Sequence, residues 1–587
     1  VTSPIETLLA HTPLTNWLYG EFTDSLNAKV RYSVSLTESA LTIQKISSSP
    51  GQGEVIFHLA DCLGCRAYKV EDEADVGAFF TAYFYPFKRR WISAGMARQK
   101  VEQCFRVALA QDPLTNLQEA ERWARAIREA SIRQIPRRHG ERQGCIVRRP
   151  CRVMVLVNPQ SGRGQALQLF SGQIEPMLTE ASIPYTLVIT EHQNHARDLV
   201  RETDLSQWDA LVILSGDGLL FEVLNGLLER EDWEEAIQTP LGILPGGSGN
   251  ALAASVHHYT KSPPAWGKEL LLSCGFLLCK GLVTRLDLVS VHLASSQRIF
   301  SFLSLAWGFV ADIDIESEKY RLVGPMRFLV GTLMRLASLR VYQGRLAYLP
   351  APPSTPQNSS LCSSLPCGPN SSPNQNSRHN HSTNSNHNTV LNSSNNAITT
   401  MRTEPQPVNR KGPPDSLLAD LEQPVPEHWT VVNEEDFVLV LAMFQSHLAE
   451  DLFAAPGATA DDGFIHLLYV RAGISRLALL TLFMTMEKGG HLAIGCPHLV
   501  YERVKAFRLE PLSPEGAITV DGEMVEYGPV QAQVHEGIAR LISALTTRSL
   551  SYSVYCINKV PKSAFGKSPL FFSTDTFSIY LCVLFFL

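Results

Sequence analysis

The loops between residues 152 and 283 contain no GxxxxGK[ST] run, so a Walker-type phosphate loop is excluded there, and no GxGxxG run, so a dinucleotide fingerprint is excluded too. The 12 cysteines are scattered and no spacing repeats. Cys62-Leu63-Gly64-Cys65 is a lone pair with no second pair nearby. It reads as ordinary reduced thiols in a reducing compartment, zinc or redox chemistry being the alternative. Positive charge is not in surplus: the net charge of -6 argues against direct nucleic-acid binding. No charged-then-apolar leader follows Val1. The one long apolar run, residues 577–587, falls short of the roughly 20 residues that span a bilayer. Extended back to Ser568 it takes in Ser573, Thr574 and Asp575, so a disordered end is expected, with a marginal tail anchor as the alternative.

What is present is a set of glycine loops on apolar strands. The run Leu211-Val212-Ile213-Leu214 ends in Ser215-Gly216-Asp217-Gly218, and an apolar helix pattern starts directly after it. Strand, glycine loop and helix N-terminus form a phosphate cradle, and Asp217 is placed to take a proton. Val153-Met154-Val155-Leu156-Val157 leads likewise into Asn158-Pro159-Gln160-Ser161-Gly162-Arg163-Gly164 and a helix over 165–178. The strand 185–189 precedes a helix over 195–201, and Leu241-Gly242-Ile243-Leu244 ends in Pro245-Gly246-Gly247-Ser248-Gly249-Asn250 before another helix. Repeated βα units predict a doubly wound parallel sheet with ligands at the carboxyl ends of its strands. A single glycine turn is also explained by tight strand-to-helix geometry. Three of them along one edge, one carrying an acid, point to phosphate.

At 587 residues, roughly 150 per domain suggests three or four units. Residues 1–145 read as a β-rich domain closed by an amphipathic helix over 116–127, resembling a pleckstrin-homology-type sandwich, with a small all-β domain of no lipid role as the alternative. Basic clusters at Lys88-Arg89-Arg90, Arg137-Arg138 and Arg148-Arg149 suit an anionic membrane or an import receptor, or a merely solvated face. Residues 146–283 are the α/β nucleotide domain. Residues 284–350 and 426–540 return to strands, an antiparallel β-sandwich for lipid, interrupted by a Ser/Asn/Pro-dominated insert over 351–425 that cannot bury a core. Its His379, His381 and His387 lack a rigid frame for metal. Residues 541–587 are a tail. The fold class is α/β plus all-β.

Ser215-Gly216-Asp217-Gly218 with Glu222-Val223-Leu224-Asn225-Gly226 resembles the signature of the diacylglycerol-kinase-type catalytic fold. Asn158-Pro159, Thr190 with Asn194-His195-Ala196-Arg197, Gly247-Ser248-Gly249-Asn250-Ala251-Leu252-Ala253 and Ser304-Leu305-Ala306-Trp307-Gly308-Phe309 are similar to the sphingosine kinases. So are the run from Asp312 to Glu318, Phe507-Arg508-Leu509-Glu510-Pro511 and Val520-Asp521-Gly522-Glu523. The likeness runs over 152–348 and 427–540, and the insert, the N-terminal region and Val525-Glu526-Tyr527-Gly528-Pro529 resemble the type 2 branch. Phe221 departs from the family's common His, and Gln160-Ser161 from a more glycine-rich loop start.

The resemblance implies ATP-dependent phosphorylation of the primary hydroxyl of sphingosine, at a peripheral membrane surface or in the cytoplasm, with the nucleus open. Phosphoryl transfer needs positioning, charge neutralisation and an acceptor for the hydroxyl proton. By the resemblance Asp217 is the base. Asn158, Pro159, Gln160, Thr190, Glu191, His192, Gln193, Asn194, Glu222, Gly247, Ser248 and Gly249 hold the nucleotide. Arg321 and Arg327 neutralise the transferring phosphate, and Asp521, Gly522 and Glu523 return to the nucleotide, the two acids as candidate Mg2+ ligands. The substrate meets Ser215, Gly216, Asp217, Gly218 and Ser304, with Asp314 pairing its protonated amine. Phe309 and the apolar stretches 328–339 and 477–486 are candidate linings for the lipid tail. The first of those stretches, with Arg327, Arg335 and Arg340, is either plain core or a seat for a calmodulin-like partner. A ceramide or diacylglycerol kinase is the near alternative, which Asp314 disfavours because neither lipid carries a positive charge. A catalytically dead scaffold is the distant one.

Overall fold

The computed structural model describes residues 18–27, 29–46, 53–69, 75–90, 95–134, 151–323, 326–352 and 411–543, with the side chains of residues 321–326 outside that set. Four of its strands are parallel and side by side, in the order Tyr185–Ile189, Val153–Val157, Ala210–Ser215, Leu241–Pro245. The inner three are buried along their whole length, which is why they read as unbroken apolar runs and not as alternating ones. The strand order reverses between Val153–Val157 and Ala210–Ser215, so the crevice where such sheets bind ligands lies between the loops that follow these two strands. The single helix expected over 165–178 is instead broken into Ala166–Leu169, a wide turn Phe170–Ile174 and Glu175–Glu180. Pro176 has no N–H to donate, so the ladder widens just before it.

The β-rich half is built from antiparallel pairs. Trp307, Phe437, Phe444 and Phe507 fill its core, and the helices Phe309–Ser317, Met326–Ala337 and Arg476–Met486 contribute to a second apolar cluster with Leu439, Leu441 and Leu468. Two sequence expectations change here. The strand Val530–Ile542 pairs antiparallel with Val283–His292 and with Leu499–Pro511, and also meets the parallel sheet at Leu241↔Leu541. The nucleotide and β-rich halves therefore share one hydrogen-bonded array, and the tail expected from 541 begins only after this strand.

The second change concerns the insert, expected to run to 425. Residues 411–425 are bound to the β-rich half. Asp415 accepts from Ser290, from His292 Nε2 at 2.7 Å and from Arg298 Nη2 at 3.1 Å. Gln533 accepts from the Ser416 and Leu417 amides, and Arg508 donates to the carbonyls of Asp420 and Gln423. The stretch is thus held by satisfied hydrogen bonds and by Leu417, Leu418 and Val425, which pack against Ala347, Trp429 and Ala506. His379, His381 and His387 lie outside the described residues.

Ahead of the α/β sheet stands a seven-stranded antiparallel sheet, in the order Val55–His58, Ala40–Ile46, Arg31–Leu36, Leu18–Asp24, Val101–Val107, Ala78–Phe84, Cys62–Tyr68. Its closing helix, Pro113–Arg133, starts earlier than expected because Asp112 caps it through the amides of Leu114 and Thr115 and Pro113 occupies the first turn. Trp123 of this helix is buried and stacks on Phe80 at 5.6 Å. Cys62 and Cys65 are free, buried thiols, and burial pushes Cys62 up to about 11. The sheet is fastened to the α/β region by Tyr85 to Glu180 at 2.6 Å, Lys100 to Glu180 at 2.6 Å and Lys280 to the Cys62 carbonyl at 2.6 Å. Arg90 donates to both oxygens of Glu269. Lys88-Arg89-Arg90 is therefore not a uniform solvated cluster. Lys88 and Arg89 are exposed and Arg90 turns inward; the clusters at 137–138 and 148–149 lie outside the described residues. Among the described residues no helix is long and apolar enough to cross a membrane.

Candidate active site

Three glycine loops meet at the crevice between the parallel strands. Ser161 accepts the Gly216 amide at 3.0 Å and the Ser215 hydroxyl at 3.1 Å, joining the first loop to the second. The Ser161 hydroxyl is thus engaged by the neighbouring loop. Gly246 donates to the Ser215 carbonyl at 2.9 Å, joining the third. Side chains are excluded at the junction: a Cβ on Gly247 would lie 2.4 Å from the Gly216 Cα. Gly162, at φ +57°, would place a Cβ 2.8 Å from the Gly246 carbonyl oxygen. Asn158 closes the first loop by accepting the Gln160 amide at 2.9 Å, with Pro159 between them in the turn.

Asp217 opens the helix Asp217–Leu228, and its carboxylate accepts the amides of Ala251 and Leu252 at 2.9 and 3.0 Å. These are the first two N–H groups of the helix Ala251–Tyr259. The acid is therefore fixed against the third loop. Burial lifts its carboxyl above the usual carboxylate range, and the two amides oppose the shift. A lifted carboxyl is a stronger base near neutral pH. One turn further on, Glu222 faces the amides of Asn194, Ala196 and Arg197 at the start of the helix His195–Glu202; burial raises its carboxyl and these amides lower it. Thr190 is buried against the Val157 carbonyl. The Glu191 amide donates to His195 Nδ1 at 3.0 Å, and His192 Nδ1 pairs with the Gln193 carbonyl. Ser248 lies buried in the third loop and Gly249 beside Asp217.

The β-rich half supplies the facing wall. The turn carrying Asp521, Gly522 and Glu523 returns to the second loop, where a Cβ on Gly218 would sit 2.7 Å from Glu523 Oε1. Asp521 does not point there. Its buried carboxylate accepts from the Ser301 hydroxyl and from the amides of Phe302, Leu303 and Ser304. Burial pushes it up to about 6 against those four donors. Asp521 is therefore a buried organiser of the 301–304 turn, not an open metal ligand, and Glu523 is the acid at the glycine loop.

Asp314, on the helix Phe309–Ser317, accepts the Thr519 hydroxyl at 3.2 Å, two residues from Asp521. Ser304, Asp314 and Asp521 are thus one neighbourhood. Burial pushes Asp314 up to about 7, opposed by the charge of Arg327 and by Thr519. Arg327 is buried and ion-paired with Glu318. The Arg321 side chain lies outside the described residues. Phe309, Phe328 and Phe483 share one apolar cluster with Leu336 and Leu479, so the three candidate tail linings do converge.

Two further residues tie the halves together, and no sequence motif marked their roles. Asn225 donates to the Phe300 carbonyl and accepts the Phe300 amide, both at 2.9 Å. Glu450, in the loop after the strand Asp436–Met443, accepts the Asn250 side-chain amide at 3.0 Å and the Gly267 amide. Asn225 stood in the quoted motif without a role; for Glu450 the only sequence cue is the acidic pair Glu450-Asp451.

Residues 152–291 match the family described as the diacylglycerol kinase catalytic domain. The chain is 41% identical to Sphingosine kinase 2 of Homo sapiens over 92% of this chain and 92% of that protein. It is 49% identical to Sphingosine kinase 1 of Homo sapiens over 68% of this chain and 92% of that protein. With Sphingosine kinase 1 of Mus musculus it shares 50% identity over 66% of this chain and 90% of that protein. The first match spans the three glycine loops and Asp217, and the other three extend over nearly the whole of each relative: the chain belongs to the sphingosine kinase family.

Proposed function

We propose that the chain transfers the γ-phosphate of ATP to the primary hydroxyl of sphingosine or a related sphingoid base, giving sphingosine 1-phosphate. The observation that carries this reading is Asp217, a desolvated carboxylate held at the junction of three glycine loops. Asp217 takes the hydroxyl proton as the lipid oxygen bonds to the γ-phosphorus, and the bond to the bridging oxygen breaks to release ADP. Asn158, Pro159, Gln160, Thr190, Glu191, His192, Gln193, Asn194, Glu222, Gly247, Ser248 and Gly249 line the nucleotide side. Ser215, Gly216, Gly218, Ser304 and Asp314 line the lipid side, with Asp314 pairing the ammonium. Arg321 and Arg327 serve the phosphate, Arg327 by exchanging Glu318 for it. Mg2+ would be held by the ATP phosphates with Glu523 near Gly218, and would neutralise charge on the phosphates.

Purified protein incubated with labelled ATP and sphingosine, ceramide or diacylglycerol tests the reading. Label should enter sphingosine and not the two uncharged lipids. Preferential labelling of ceramide or diacylglycerol would replace it.

The same reading places the enzyme at a peripheral membrane surface, in the cytoplasm and with access to the nucleus. The N-terminal sheet with its Trp123 helix is taken as pleckstrin-homology-like. A calmodulin-like partner would seat on Met326–Ala337, where Met334 is exposed. It would have to draw Arg335 away from Asp312 and Glu316.

A further inference from the structure

The segment 445–450 of the β-rich half lies along the helix Ala251–Tyr259 and ends on its N-terminus. Gln445 accepts the Tyr259 hydroxyl at 2.9 Å, the His447 amide donates to the Ser255 hydroxyl at 3.1 Å, and the Glu450 amide donates to the Gly249 carbonyl at 2.7 Å. Glu450 sits at the tip of a tight turn closed by Leu448 to Leu452 at 2.8 Å and Leu452 to Ala449 at 3.1 Å. Its carboxylate divides between two donors. Oε2 takes the Asn250 side-chain amide, and Oε1 takes the Gly267 backbone amide.

Asn250 is held from both sides. It adopts φ +52°, accepts the Gly247 amide at 2.8 Å and donates to the Gly247 carbonyl at 3.1 Å. The next two amides, Ala251 and Leu252, are the pair that holds the Asp217 carboxylate. The orientation of the peptide between Gly249 and Asn250 therefore sets both the third glycine loop and the two donors on the base. Glu450 grips this peptide through its own amide and through its side chain.

We propose that Glu450 is a positioning residue that, from the β-rich half, holds the third glycine loop and the Asp217 carboxylate in the geometry that binds ATP and receives the proton. The inference rests on the kinase reading of the cleft and assigns to it a residue outside every glycine motif. Seating of the β-rich half and shaping of the nucleotide loop become one event, because the same carboxylate belongs to the first and bonds the second. An acid is suited to the place, since both partners are N–H donors and a carboxylate accepts from both. The carboxamide of Gln accepts through one end only, and turning Asn250 to compensate breaks its bond from the Gly247 amide.

The test measures ATP affinity by calorimetry without lipid, and kcat and the KM values for ATP and sphingosine, for Glu450→Ala and for the isosteric Glu450→Gln. Both variants are expected to bind ATP about tenfold more weakly and to lose kcat, with KM for sphingosine unchanged. If Glu450→Ala does not fold, Glu450→Gln decides alone. Wild-type ATP affinity and turnover in both variants would overturn the proposal. So would a KM for sphingosine raised as much as that for ATP, since general loosening would then account for the loss. Wild-type protein that binds ATP but labels no sphingosine would sink the substrate reading, while the affinity series would still judge Glu450.

Discussion

At the scale of single residues, Asp217 and Asp314 are two half-buried acids for which we propose opposite duties. Asp217→Asn should reduce kcat by about 10²–10⁴-fold, measured as label transfer to sphingosine, with the protein still folded by its thermal unfolding transition. The amide keeps one acceptor for the Ala251 and Leu252 N–H groups, sets its NH2 against the other and cannot receive the proton. Asp314→Asn should raise KM for sphingosine about tenfold or more while leaving KM for ATP unchanged. The pH dependence has a definite sign. Burial pushes Asp314 up to about 7, so below that pH the carboxyl is neutral and cannot pair the ammonium. KM for sphingosine should therefore rise as pH falls through about 7, and the rise should be absent in Asp314→Asn. The same raised value means that ionising Asp314 opposes folding. Its contribution to stability in lipid-free protein is full at acid pH and is lost as pH climbs through about 7. Both acids were legible in the sequence because they sit in short motifs. What the motifs do not carry is direction. Asp521 and Glu523 stand two positions apart, yet one is drawn inward by the amides of 302–304 and the other returns to Gly218. Only the positive φ of Asp521 and the turn it makes decide which acid faces the cleft.

At the scale of elements, the parallel strands and their glycine loops could be read directly, since a strand covered on both faces needs an unbroken apolar run and a loop this crowded excludes Cβ atoms. Gly247→Ala tests that crowding. It should weaken ATP binding severely, because the collision is with backbone at Gly216 and no flexible side chain can give way. The stem of the insert was not legible, because its few apolar contacts, Leu417, Leu418 and Val425, follow no period and its other anchors are hydrogen bonds to residues distant in sequence. Burial opposes ionisation of Asp415, but hydrogen bonds from His292, His535 and Ser290 and the charge of Arg298 hold its carboxyl well below the usual carboxylate range. The lowered value stabilises the fold above the ordinary carboxylate pKa and is lost as pH falls. Asp415→Ala should destabilise the protein by about 3 kcal/mol in urea unfolding at neutral pH, since it strips the carboxylate from a buried Arg298. The difference should shrink in acid.

At the scale of the whole molecule, the sequence announced separate domains and the structure joins them. The N-terminal sheet is held to the α/β region by Arg90 on Glu269, by Tyr85 and Lys100 on Glu180, and by Lys280 on the Cys62 carbonyl. None of these pairs is near in sequence, so no local pattern could reveal them. Arg90→Ala should lower stability by about 1–2 kcal/mol, measured by urea unfolding, because a bidentate and partly desolvated pair is lost. The strand Val530–Ile542 has a further consequence. It comes after every other described strand in the chain, yet it bonds to Val283–His292, to Leu499–Pro511 and to Leu241. A ribosome therefore delivers, last among these strands, the one that pairs along Val283–His292 and Leu499–Pro511 and touches the parallel sheet at one residue pair. Until it emerges, the facing edges of those two strands stay open to solvent and to other chains, the condition that recruits chaperones. Nascent chains arrested before residue 530 should accordingly remain protease-sensitive across the β-rich half, and release of the final strand should protect it.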